Sequence, residues 1–80
     1  MGYHIKTIKK GVLGTSSKIR EELEELEDAE YQGITIMQMC ELADIYGALR
    51  AYAATYELEM DDLKDMADAT ERAFSDGSRK

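Results

Sequence analysis

The 80-residue chain has no proline and no tryptophan, and only one cysteine, one histidine and one phenylalanine. No proline interrupts the helices read below. The single cysteine, Cys40, excludes an intrachain disulfide and a paired-cysteine metal site. Lying within an apolar run, it reads as a buried small hydrophobe. The one histidine, His4, stands near a terminus, which argues against histidine-based catalysis and against a zinc triad. No apolar stretch has the length and purity of a membrane span, because charge interrupts residues 31–56. The opening MGYHIKTIKKG lacks the apolar segment of a secretory leader. These absences lead to the expectation of a cytoplasmic protein without a membrane partner.

Positive charge is also scarce. The formal net charge is -7, which argues against broad electrostatic binding to nucleic acid. The charges are unevenly placed. Lys6, Lys9, Lys10, Lys18 and Arg20 come early, Arg72, Arg79 and Lys80 come last, and acid dominates between them. Basic ends around an acidic middle suit a molecule that holds a metal and an anion together. The hydrophobic fraction of 44% is ordinary for a folded chain. A chain of this length buries only about 60–65% of the surface it exposes when unfolded. Self-association, as a homodimer or homotetramer, is the expected way to complete so thin a core.

The chain reads as one domain: an irregular arm over 1–14, a helical core over 15–76 and a tail over 77–80. Thr15, Ser16 and Ser17 form a helix N-cap cluster. The spacing of Ile19, Leu23 and Leu26 predicts a helix to about residue 31. Gln32–Gly33 is a stop. Residues 34–56 then predict a helix apolar nearly all round and buried on most sides. After ELEMDD, the spacing of Leu63, Met66, Ala67, Thr70, Ala73 and Phe74 predicts a third helix, ending at Asp76–Gly77. The fold class is all-α, with three helices that form a four-helix-like bundle on oligomerisation.

Only Glu41, Asp44 and Arg50 are charged within residues 31–56. On a helical wheel Asp44 falls about 60° from Glu41, while Arg50 falls about 180° away. Both acids share their face with Ile45, Ala48 and Tyr52, so burial there requires compensation. In the first helix Glu22 borders the apolar stripe and Glu25 lies one step outside it. Glu21, Glu24 and Asp28 lie farther round and read as solvated surface. Two carboxylates at i and i+3, facing a second such pair, make a cage of hard oxygens suited to Mg²⁺. The bland alternative is an acidic helical oligomer in which Glu41 and Asp44 pair with Lys or Arg of another subunit.

Glu21-Glu22-Leu23-Glu24-Glu25 matches an EExxE motif, and Glu41-Leu42-Ala43-Asp44 matches ExxD at a suitable separation. Together with SKIREELEELEDA and ELADIYGALRAYA, they resemble the motif helices of the MazG-like, all-α nucleoside triphosphate pyrophosphohydrolases. The segment DLKDMADATERAFSDGSR is similar to the tail of the short versions that phages carry. The resemblance spans about residues 11–79. It implies Mg²⁺-dependent hydrolysis of a (deoxy)nucleoside triphosphate to monophosphate and pyrophosphate, in the host cytoplasm if the chain is phage-encoded. It further implies Glu22, Glu25, Glu41 and Asp44 as ligands of Mg²⁺, with Mn²⁺ able to replace it. Glu21 would help hold a second metal or orient the attacking water. Lys18, Arg72 and Arg79 become the phosphate contacts, and Tyr46, Tyr52 and Tyr56 the base contacts. An alternative within the same fold is a catalytically weak module that binds a nucleotide or a protein.

Overall fold

A computed structural model describes residues 4–75 and 77. Arg79, and the predicted helix end at Asp76, lie outside the described residues. Within them the fold is all-helical: α1 spans Ser16–Gln32, α2 spans Thr35–Thr55 and α3 spans Met60–Ser75.

The predicted punctuation produces the first hairpin. Thr15 caps α1, its Oγ1 accepting from the Ser17 N–H at 3.3 Å. Gly33 ends α1 in the left-handed region at φ 71°, and its N–H donates to the carbonyls of Ala29 and Glu30. Only a residue without Cβ takes that turn cheaply. α2 begins two residues later and runs back along α1. The start of α1 therefore meets the end of α2: a Cβ on Gly14 would stand 2.7 Å from Thr55 Oγ1. In the middle of the hairpin, Glu25 hydrogen-bonds Glu41.

The helix pair closes on small side chains, with Ala29, Met37, Ala48 and Ala53 buried. The acids Glu21, Glu22, Asp28 and Glu41 are buried beside them. This corrects two expectations. Glu21 and Asp28 are not solvated surface; they are 2% and 0% exposed. Conversely, Leu23 of the apolar stripe is exposed. The N-terminal arm is what covers Glu21 and Asp28. It is irregular, as expected, but it lies against the acidic side of α1, where the N–H groups of Ile5, Lys6 and Gly11 donate to Asp28 and Glu21.

α2 also departs from expectation. Its Met37–Glu41–Ala48 face packs on α1, whereas Ile36, Met39, Leu42, Tyr46 and Leu49, on the other side, stay exposed in the single chain. Cys40 is exposed as well, not buried, because it lies off the face that meets α1. α3 is amphipathic, with Asp61 and Asp62 in its first turn, Arg72 in its last, and a Lys64–Asp68 pair at 2.8 Å. None of its residues is buried. The radius of gyration, 14.6 Å, exceeds the roughly 12 Å of a compact chain this long.

The seating of the arm depends on Gly11. A Cβ there would overlap the Ser17 carbonyl and approach the Lys18 nitrogen to 2.6 Å. Gly11→Ala should therefore destabilise the protein by roughly 1–3 kcal/mol in denaturant melts. Gly47→Ala, where the added Cβ meets nothing within 4 Å, should stabilise it by about 0.5–1 kcal/mol.

Candidate metal centre

Buried carboxylates need donors or cations. In this chain they divide into an anchored set and a converging set. Asp28 and Glu21 are anchored. Asp28 accepts from the N–H groups of Ile5 (3.2 Å) and Lys6 (3.3 Å) and from Gln32 Nε2 (2.9 Å), and it holds His4 Nδ1 at 2.8 Å. Burial opposes its charge, but these bonds outweigh burial and hold Asp28 below the usual carboxylate range. Glu21 accepts from the Gly11 N–H at 2.8 Å and from Lys18 Nζ at 3.1 Å, with Lys10 Nζ at 3.6 Å. It too is held low against the cost of burial, by Gly11 and Lys18.

Glu22, Glu25, Glu41 and Asp44 converge. Each offers one oxygen, and all four oxygens lie within 4.8 Å of one another. The i, i+3 spacing on α1 and on α2 sets both pairs on the facing sides of the hairpin. Glu41 is fully buried at the centre, and Asp44 lies at the exposed rim. Lys18 Nζ reaches Glu22 Oε1 at 3.1 Å, while Glu22 Oε2 is buried with no hydrogen-bond partner. Burial, the bond shared with Glu41 and the charge of Glu22 push Glu25 up to about 7. Near neutral pH the cluster thus retains a proton for want of positive charge. Hard oxygens from four carboxylates at this spacing fit a divalent cation such as Mg²⁺.

His4 enters the same cluster. Its Nε2 lies 3.3 Å from Glu25 Oε1 and 3.5 Å from Glu41 Oε1. Its place near a terminus thus does not keep it away from the acidic cluster. Burial disfavours its charge, but the bond to Asp28 and the charges of Glu41 and Glu25 prevail and hold it above its ordinary value.

The other predicted site residues are dispersed. Glu21 lies outside the converging four, tied to the arm. Lys18 is beside the cluster but engaged by Glu21 and Glu22, which hold its pKa above the ordinary value against burial. Arg72 lines a shallow cleft on α3 with Asp68, Glu71 and Ser75. Tyr52 lines an apolar cleft of about 500 Å³ with Ile19, Leu49, Leu63 and Met66, and its ring centroid is 5.0 Å from that of Tyr56. Tyr46 lines a second cleft with Leu49 and Met60 and carries Arg50 over its ring at 4.9 Å. Sequence reasoning missed His4, Asp28 and a small cleft formed by His4, Lys6, Ile8, Lys10 and Glu25. The available signal was the basic, glycine-punctuated arm preceding so acidic a helix. No family model, curated protein or solved structure matches the chain.

The signs of these shifts set a pH dependence. Glu25 is raised, so its ionisation opposes folding as pH climbs from its ordinary value of 4.5 to about 7. His4 is also raised, so its stabilisation is full below its ordinary 6.5 and is lost as pH rises through its folded value. Glu21 and Asp28 are lowered, so theirs is present above their ordinary values and lost as pH falls through the folded ones. The metal-free protein should therefore melt highest at about pH 4–5 and lower at pH 8. Mg²⁺ should raise the melting temperature more at pH 8 than at pH 6.

Proposed function

We propose that the chain is a Mg²⁺-dependent nucleotide pyrophosphohydrolase of the MazG-like class, converting a (deoxy)nucleoside triphosphate to its monophosphate and pyrophosphate. One observation carries the reading: the EExxE and ExxD segments contribute Glu22, Glu25, Glu41 and Asp44 to a single constellation of carboxylates. A sequence motif in so acidic a helix is weak support by itself. Convergence of the i, i+3 pairs across a hairpin is stronger, because a bound cation would offset the repulsion between them.

The bound metal would neutralise phosphate charge and lower the pKa of a water. Glu22, Glu25, Glu41 and Asp44 would hold it, with Asp44 at the rim facing the open side. Lys6 and Lys10, in the cleft beside Glu25, are placed to bind phosphate oxygens alongside the predicted Lys18. The oxygen of water would form a bond to the α-phosphorus, the bond from that phosphorus to the α–β bridging oxygen would break, pyrophosphate would leave with the bridging oxygen, and the proton of the water would pass to solvent. The apolar cleft at Tyr52 lies two turns along α2 from Asp44, about 12 Å. It offers an aromatic surface for the base. The exposed α2 stripe of Ile36, Met39, Leu42, Tyr46 and Leu49 supports assembly as a homodimer or homotetramer with a four-helix-like centre.

The test is a panel of ribo- and deoxynucleoside triphosphates with Mg²⁺ or EDTA, the products resolved by chromatography. Monophosphate and pyrophosphate should form only with Mg²⁺. Glu41→Gln should reduce turnover by roughly 100-fold or more while the helices persist, and Glu24→Gln should leave it nearly unchanged. Equal damage from both variants would contradict the face assignment. Tight nucleotide binding with no product would move the protein to the binding class.

A further inference from the structure

The arm brings a nitrogen donor to a cluster otherwise made of oxygen. We propose that His4 is itself a ligand of the divalent metal, binding through Nε2, and that Asp28 is the positioning residue that orients it. The inference rests on the metal centre proposed above and extends it from four helical carboxylates to a site closed by the N-terminal arm.

Spacing is the first support. Ligands in cis positions on an octahedral ion, with bonds of about 2.1 Å, stand about 3 Å apart. His4 Nε2 is 3.3 Å from Glu25 and 3.5 Å from Glu41. His4, Glu25 and Glu41 form a potential metal-holding group of their own, and two of its members belong to the four-carboxylate group as well. An ion bound by His4 would therefore be one held with Glu25 and Glu41, the two carboxylates the groups share. Glu22, whose side chain is 6% exposed, contributes a buried Oε2 that has no hydrogen-bond partner.

The orientation of the ring is the second support. Asp28 is fully buried and already accepts from two backbone N–H groups and from Gln32. An ionised carboxylate only accepts, so the Nδ1 it holds at 2.8 Å carries the hydrogen. In the neutral ring the lone pair then belongs to Nε2, the atom aimed at Glu25 and Glu41. A carboxylate behind the far nitrogen of a histidine is the arrangement by which proteins orient imidazole ligands toward metals. The same Asp28 oxygens fix the backbone at Ile5 and Lys6, so the histidine is held by a pinned stretch of the arm.

Mn²⁺ suits the same carboxylate and water oxygens as Mg²⁺ and, as a transition ion, accepts an imidazole nitrogen more readily than Mg²⁺ does. The test uses Mn²⁺ alone with the full chain. Electron spin echo measurements on the Mn²⁺-loaded wild-type protein should show coupling to an imidazole nitrogen. His4→Ala should remove that coupling and weaken Mn²⁺ about tenfold or more, with a smaller effect on Mg²⁺. Asp28→Asn should weaken Mn²⁺ by about 10- to 100-fold. Wild-type protein that binds Mn²⁺ without nitrogen coupling would overturn the role of His4 and leave the carboxylate centre standing. This outcome is readable even if the variants do not fold. Wild-type protein that binds no Mn²⁺ would overturn the metal centre itself.

Discussion

Repulsion among carboxylates that have been removed from water is the constraint on which the rest of the structure depends. A hairpin of two helices with a core of three alanines and a methionine has little apolar burial to set against it. The chain answers the repulsion differently on two sides of α1. On one side, backbone N–H groups and Lys18 satisfy Glu21 and Asp28. On the other, Glu22, Glu25, Glu41 and Asp44 converge, with Lys18 against Glu22 and the His4 ring against Glu25 and Glu41. The first arrangement is stable as it stands. In the second, burial and neighbouring carboxylates disfavour the charge of Glu25 and push it up to about 7.

The N-terminal arm connects the two. The same arm that bonds Asp28 and Glu21 sets His4 against Glu25 and Glu41, and Lys6 and Lys10 around the adjoining cleft. Structural anchoring and site construction therefore fall to the same segment. Gly11 permits this by letting the arm approach the first turn of α1 closely enough for its N–H to reach Glu21. A thin protein thus gains rigidity at the site from hydrogen bonds that a larger one obtains from packing.

Local features were legible in the sequence. Thr15 and Gly33 bound α1 as their chemistry requires, and the i, i+3 acids of α1 and α2 meet as their spacing requires. What covers the remaining faces was not legible. A helical wheel orders residues around an axis but does not say which neighbour lies where. Asp28 and Glu21 appeared solvated because the arm shows no periodicity, and its contacts to Asp28 span more than 20 residues of sequence. The apolar run of α2 read as burial on most sides, yet within one chain only the face toward α1 is covered. That run is informative about association, which a sequence pattern shares with ordinary core formation.

The claim that most of this rests on is that the converging carboxylates hold a divalent metal. The most direct measurement is anomalous diffraction from crystals grown with Mn²⁺. The account predicts one strong anomalous peak among Glu22, Glu25, Glu41 and Asp44, within bonding distance of their oxygens. No peak there, in well-ordered crystals with the carboxylates still converging, would contradict it.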